Sequence, residues 1–271
     1  MIVIMKILIK VPFHGDFDHK RTKAGLKSGM SEKQHTYRRI ISAADIYANG
    51  YIKPGSALDF YQRVVEEHMH GYGLDIFTMV DSGCAWTLVS ADILFYPVTT
   101  GRRHLDFKTW WILNSPYFRR EMIALSADGE PAFKCSTHSV LMDLSRRSIM
   151  RPSDLPFKIM EPSNNSPAIP DAQARYKFDC GVESSGVYAV TNSFVDILGH
   201  TNNVRYAEAA FDALGSDIIE NGIKRMQMSF LCELTLSQEY EVFKSSGDGF
   251  SIVSIIRRCD GKTAFSSKFI F

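Results

Sequence analysis

Val195-Asp196-Ile197-Leu198-Gly199-His200-Thr201-Asn202-Asn203-Val204-Arg205-Tyr206 runs directly into Ala207-Glu208-Ala209-Ala210-Phe211-Asp212-Ala213-Leu214-Gly215. The first part reads as a polar turn. The second reads as an amphipathic helix, because Ala207, Ala210, Phe211 and Leu214 recur at i, i+3, i+4 and i+7. Asn202 or Asn203 suits the helix start through a side-chain oxygen, and Gly215 suits a left-handed residue just past its end. Asp196 and His200 therefore arrive together beside a helix N-terminus. The unpaired N–H groups and partial positive charge there favour a developing oxyanion.

Downstream of this stretch, strand patterns cover 224–234, 239–244, 250–258 and 263–271, with Asp260-Gly261 as a hairpin turn. Upstream, the same order occurs once more. Residues 36–41 read as a strand, followed by an Asp-containing turn (Asp45-Ile46-Tyr47-Ala48-Asn49-Gly50) and a helix starting near Pro54 or Ser56. Ser56-x-x-Asp59 reads as a capping box, and Ala57, Tyr61, Val64, Val65 and His68 line one face. Strand runs then cover 84–96, 104–113, 118–126 and 132–144, with Asp128-Gly129 between the last two. The chain is thus two copies of strand, turn, helix and four strands, a repeat of pattern rather than of residues, in which Asp45 is matched with Asp196. Each copy is an antiparallel sheet that buries one face on a helix, an α+β arrangement. Residues 145–175, with five prolines and Ser163-Asn164-Asn165-Ser166, read as a linker, and residues 1–34 as an extension.

Composition narrows the function classes. Apolar residues make up 45% and charged residues 23%, as in an ordinary globular protein, and a net charge of +1 excludes a general nucleic-acid binder. The first 40 residues are locally basic, with nine Lys or Arg against Asp16, Asp18 and Glu32, which reads as a solvated arm. Five cysteines, odd in number and without a Cys-x-x-Cys, fit buried thiols in a reducing cytoplasm. The opening Met1-Ile2-Val3-Ile4-Met5-Lys6 does not read as a secretory signal, and no run approaches a membrane span. His68-x-His70 lacks a third ligand at metal spacing, so neither a metal nor an organic cofactor is expected.

Asp196-x-x-Gly199-His200-x-Asn202-Asn203-x-x-Tyr206 ahead of a helix resembles the active-site turn of the acyl-acyl-carrier-protein (acyl-ACP) thioesterases. Similarity extends over nearly all of residues 35–271. It includes Asp45-x-x-x-Asn49-Gly50-x-x-x-Pro54, Trp86-x-Leu88, Thr109-Trp110, the basic exit Arg146-Arg147…Arg151-Pro152, and Met226-Gln227-Met228-Ser229-Phe230-Leu231-Cys232-Glu233. The resemblance implies a tandem (double) hotdog: two antiparallel sheets, each wrapping a long helix, with sheet continuity between the halves. It places an acyl pocket in 35–144, with Trp86 lining it, and the catalytic residues in 176–271. The implied activity is hydrolysis of a fatty acyl thioester on the phosphopantetheine arm of acyl carrier protein, in the cytoplasm, with homodimerisation left open.

His200 carries the acid/base expectation, since an imidazole titrates near neutral pH. Asp196 is read as its orienting group or a base, against the plain alternative of an Asp that builds a turn. Glu233, a carboxylate closing an apolar strand, matches the family acid, against the alternative of a solvated strand end. Asn202 and Asn203 are read as caps, with backbone N–H groups of 201–204 as oxyanion donors. Cys232 points away from Glu233 on an alternating strand and is not expected to act as a nucleophile. One departure from the family is Leu198, where its pattern has Asn. Leu198 keeps two further readings open beside the ACP enzyme: an acyl-CoA thioesterase, and an acyl- or ACP-binding protein with weakened turnover.

Overall fold

Strand β1 (His35–Ile40) leads through a turn into helix α1 (Pro54–His70). Proline at the first helical position has no N–H to leave unpaired, and it pushes Lys53 before it into extended backbone at φ −64, ψ 143. The capping box expected at Ser56 does not form. Lys53 is the N-cap, Ser56 lies inside the first turn, and Asp59 pairs with Arg63 one turn on at 2.7 Å. The apolar face does form: Ala57, Tyr61, Val64 and His68 are buried, and Val65 packs against the same core. A second short helix, α2 (Ile76–Asp81), starts at Asp75, whose carboxylate accepts the N–H groups of Phe77 and Thr78.

The computed structural model describes residues 35–98, 104–114, 117–151, 154, 162–163, 165–216 and 221–271, all within one compact unit, Ser31–Phe271. Residues 1–34 of the basic arm lie outside the described residues, while Arg38 and Arg39 belong to β1 and pair with Asp106 and Glu67. After α2 come β2 (Cys84–Phe95), β3 (His104–Asn114), β4 (Tyr117–Ser126), β5 (Pro131–Asp143) and the two-residue β6 (Ser148–Ile149). The second half holds β7 (Glu183–Ala189), α3 (Asn203–Asp212), β8 (Arg225–Phe230), β9 (Glu239–Gly247), β10 (Phe250–Arg257) and β11 (Thr263–Ile270). Asp128-Gly129 and Asp260-Gly261 turn the hairpins β4–β5 and β10–β11, each with its glycine in the left-handed region that a side chain would resist.

The expectation of two separate sheets is corrected, and that of continuity between the halves is met: the eleven described strands belong to one sheet, in the order β1-β3-β4-β5-β2-β8-β11-β10-β9-β7, with β6 beside β5. From either edge inward, the two halves have the same order, so the repeat seen in sequence is a repeat of topology. The halves meet at β2 and β8, paired antiparallel from Ser90↔Ser229 to Leu94↔Arg225. Alternation along a strand reports which face is buried, not which strand lies alongside, so this junction left no mark in the pattern. Each half was also expected to wrap a long helix, and only the first does. Helix α1 has 17 residues and α3 has 10. Gly215 is not left-handed; α3 stops before it, with Ala213 as C-cap in ordinary right-handed backbone.

Both helices pack on one face of the sheet and against each other. Phe107, Phe133, Phe265 and Phe269 are fully buried beneath them, each such burial contributing roughly 1.5–3 kcal/mol. Gly55 allows the close approach, because a Cβ there would lie 2.6 Å from Glu208 Cγ on α3. The other face is polar and covered by residues 165–176, part of the stretch read as a linker. This strap is bonded down: Ala168 N–H to Glu121, Ile169 carbonyl to Arg119, Gln173 carbonyl to Ser90 and Tyr176 hydroxyl to Asp92. Asp92, 1% exposed, also takes a forked pair of bonds from Arg225 at 2.8 and 2.7 Å, tying the halves together across β2 and β8.

Candidate active site at the turn before α3

Residues 195–201 form a closed loop. Val195 bridges Thr201, Asp196 N–H meets the His200 carbonyl at 2.9 Å, and Gly199 turns at φ 78. The first half builds the same loop from Ile46 bridging Ile52, Tyr47 N–H to the Tyr51 carbonyl, and Gly50 at φ 87. The two loops match bond for bond, so Tyr47 stands where Asp196 does, and Tyr51 where His200 does. The equivalence drawn between Asp45 and Asp196 is therefore shifted. Asp45 corresponds to Phe194, and its carboxylate is spent on Ser42 N–H and hydroxyl.

Asp196 serves its own loop: its Oδ1 accepts Leu198 N–H at 2.9 Å and His200 N–H at 3.3 Å. The loop closes without an Asp in the first half, so the backbone path does not demand one. Asn202 caps α3, accepting Val204 N–H at 2.9 Å, while Asn203 is the first helical residue. Of the N–H groups expected to form an oxyanion site, Thr201 is taken by the Leu234 carbonyl, Asn202 by the Phe194 carbonyl and Val204 by the cap. Asn203 N–H is the one left over among them. It lies at the positive end of the helix dipole.

Glu233 does not close a strand. Strand β8 ends at Phe230, and Glu233 follows in an irregular segment that runs beside the loop, with His200 bridging Thr235. Its Oε2 lies 3.3 Å from His200 Nε2, and both side chains are about one-third exposed. Its Oε1 is bonded to Arg147, a residue that sequence reasoning placed in a basic exit and not at the site. The Arg257 guanidinium holds the Glu233 backbone carbonyl at 2.8 Å and forks onto Asp260. The motif tyrosine, Tyr206, is structural. Its buried hydroxyl accepts Leu234 N–H at 2.9 Å, locking α3 to the Glu233 segment. Burial pushes its phenol well above the ordinary range. Burial likewise raises the Cys232 thiol, whose Sγ rests on the Thr263 carbonyl, so this cysteine stays protonated and unreactive.

A cavity of about 850 Å³ adjoins the loop. Asp196, Ile197, Leu198, Asn202 and Asn203 form one side of it, and Trp86, Leu88, Trp111 and Phe118 form an apolar wall from the first half. Trp86 packs edge-on against Phe118 with ring centres 4.7 Å apart. Phe77 and Ile197, each more than half exposed, stand at the rim. His200 and Glu233 are not lining residues, so the structure brings five of the seven expected site residues to the cavity and pairs the other two beside it. His68 and His70 part company: His68 is buried on Tyr37, and His70 is exposed beside Asp75. Among the described residues no three His, Cys, Asp or Glu side chains cluster as metal ligands. No described helix is long and apolar enough to cross a membrane.

No protein-family model matches the chain, and no curated protein matches it in sequence. Solved structures do. An acyl-ACP thioesterase from Bacteroides thetaiotaomicron superposes with a TM-score of 0.72 at 18% identity, over 88% of this chain and 97% of that one. The 12:0-ACP thioesterase from Umbellularia californica gives 0.73 at 15% identity, over 89% and 98%. A putative oleoyl thioesterase from Lactobacillus plantarum gives 0.70 at 16%, over 88% and 95%. The chain has the fold of these proteins.

Proposed function

We propose that this chain is a thioester hydrolase with a double-hotdog architecture, releasing a fatty acid from acyl carrier protein. The observation that carries the reading is the meeting of two things at one loop: an apolar cavity walled by Trp86, Trp111 and Phe118, and an acid–imidazole pair, Glu233 and His200. The apolar wall suits the acyl chain. The pair suits proton transfer at neutral pH.

In the mechanism proposed, Glu233 accepts the His200 Nε2–H, so Nδ1 keeps its lone pair. Nδ1 takes a proton from water as the water oxygen bonds to the thioester carbonyl carbon. The carbonyl oxygen gains charge and is met by Asn203 N–H at the start of α3, a kind of donor whose removal elsewhere costs about 10²–10³ in rate. Collapse breaks the C–S bond, and the carrier thiolate takes the proton back from the imidazolium. Asp196 accepts the Leu198 and His200 N–H groups beside the imidazole, a positioning role. The first half, 35–144, supplies the acyl wall, and the second, 176–271, supplies the reacting groups.

A second reading has its own observation. Leu198 lines the cavity where the family pattern has Asn, so the loop offers the acyl chain an apolar contact in place of a polar group. On that reading the chain binds acyl-ACP and turns it over slowly or not at all. One experiment separates the accounts: hydrolysis and binding measured with acyl-ACPs from C4 to C18 and with the matching acyl-CoAs. Hydrolysis of acyl-ACP above acyl-CoA is the expected result. Faster acyl-CoA turnover reassigns the carrier, and tight binding without hydrolysis overturns the enzyme reading.

A further inference from the structure

Arg147 belongs neither to the motif nor to the cavity wall, yet its guanidinium ends on the Glu233 carboxylate, 86 positions away in sequence. The turn that carries it is tightly built. Asp143 Oδ1 accepts Ser145 N–H at 2.8 Å, the Ser145 hydroxyl at 2.7 Å and Arg146 N–H at 2.9 Å. Arg147 N–H then closes on the Asp143 carbonyl at 2.8 Å, and β6 returns along β5. Arg147 sits at φ 52; only Ser237 shares the left-handed region with it among the described non-glycine residues. A residue with a Cβ keeps that conformation only where its surroundings over-determine it. From this turn the side chain, 57% exposed, reaches the Glu233 carboxylate.

The consequence lies at Glu233. One carboxylate oxygen is held by Arg147, and the other faces His200 Nε2 at 3.3 Å. Other groups around the pair are already committed. Asp196 Oδ1 is on its loop's N–H groups, Arg257 is on the Glu233 carbonyl and Asp260, Lys262 is on Asp260, and the Tyr206 hydroxyl is on Leu234. A carboxylate tied at one oxygen by a guanidinium has a restricted plane, which leaves its other oxygen turned to the imidazole. We infer that Arg147 is a positioning residue for the proposed hydrolysis: it holds the Glu233 carboxylate turned toward His200. The turn that follows β5 thereby reaches into the reacting pair of the second half, and the active centre is composite.

The inference rests on the thioesterase reading for its kinetic arm only. Arg147→Met keeps an unbranched flexible stem and removes the charge, and Arg147→Lys restores the charge. The first measurement needs no substrate: an NMR titration of the His200 imidazole in the full chain. Without the guanidinium, the Glu233 charge falls wholly on His200, so its midpoint moves to higher pH in Arg147→Met and returns toward wild type in Arg147→Lys. The second measurement is steady-state hydrolysis of acyl-ACP. The expected result for Arg147→Met is a kcat at least about tenfold lower with KM within about twofold, regained in the Lys variant. Coincident His200 titration curves in wild type and Arg147→Met overturn the inference. A rise in KM with kcat unchanged also overturns it, making Arg147 a carrier contact. If the wild type hydrolyses no thioester, the functional reading fails and the titration alone decides Arg147.

Discussion

Replacing Leu198 with Asn puts the residue of the acyl-ACP thioesterase pattern into a loop whose geometry is known, and its effect divides into two terms. The backbone of Leu198 is pinned by the bond from its N–H to Asp196 Oδ1 at 2.9 Å, so the new side chain starts from the same place in the cavity wall. Loss of the apolar contact acts on acyl binding. Full burial of a leucine is worth roughly 1.5–3 kcal/mol, so a half-buried one facing a chain contributes about 1 kcal/mol, or about fivefold in KM. Gain of an amide beside the reacting carbonyl acts on the barrier. A hydrogen bond to a developing charge is worth roughly 1.5–3 kcal/mol, which is about ten- to a hundredfold in kcat. The gain exceeds the loss, so Leu198→Asn is expected to raise kcat and KM together and still raise kcat/KM. The assay is steady-state hydrolysis across acyl-ACPs of increasing length, with the melting temperature as control. A kcat that stays level or falls while KM rises would refute the reasoning and leave Leu198 as wall alone.

Glu233→Gln keeps the shape of the side chain and removes its charge; kcat is expected to fall by roughly 10²–10⁴, with acyl-ACP binding retained, and a loss under about tenfold returns Glu233 to the solvent. Since Glu233 is one-third exposed, the same change should leave unfolding free energy within about 1 kcal/mol of wild type. Asp92→Asn strips the charge from a buried acceptor shared by Arg225 and Tyr176 and should cost about 3–5 kcal/mol in urea unfolding; a loss under about 1 kcal/mol means the strap and the junction hold without it. Burial, and after it the Arg119 guanidinium, push the buried His138 imidazole down to about 4. The unfolded chain takes up that proton near pH 6.5, before the folded one does, so stability should fall from about pH 6.5 to pH 4 by about 3 kcal/mol and level off below. Urea titrations of wild type and His138→Gln check this, the variant losing that part of the slope; parallel curves would remove His138 from the acid response.

How far the structure could be read from sequence depends on the range of the interaction involved. Local signals were sufficient for the helix face of Ala57, Tyr61, Val64 and His68, for the two Asp-Gly hairpins, and for the Asn202 cap, because each is settled within a few residues of itself. The register between the halves went astray for a related reason. Matching Asp45 to Asp196 compared side chains, whereas the loops are equivalent through backbone bonds and through a left-handed glycine in each, Gly50 and Gly199. Spacing from those glycines to the helix starts at Pro54 and Asn203 is identical, and it was the signal to use. The prolines of 145–175 suggested slack chain, yet Ile169 is fully buried there, and the bonds that hold the strap come from Glu121, Arg119 and Asp92 on distant strands.

Arg147 is the sharpest case, because nothing beside it in sequence distinguishes it from Arg146, which is 83% exposed and pairs at 3.9 Å with Asp143. One position further on, the left-handed backbone turns the next guanidinium onto Glu233. The two neighbours differ in backbone: Arg147 is left-handed, in a turn whose bonds converge on Asp143. On the proposed function, a duplicated fold keeps its reacting groups in one half. In the first half Tyr51 occupies the place of His200, so the loop is complete and carries no imidazole. What that half contributes instead is an apolar wall through Trp86 and Trp111, and the turn that follows it adds one cation, Arg147.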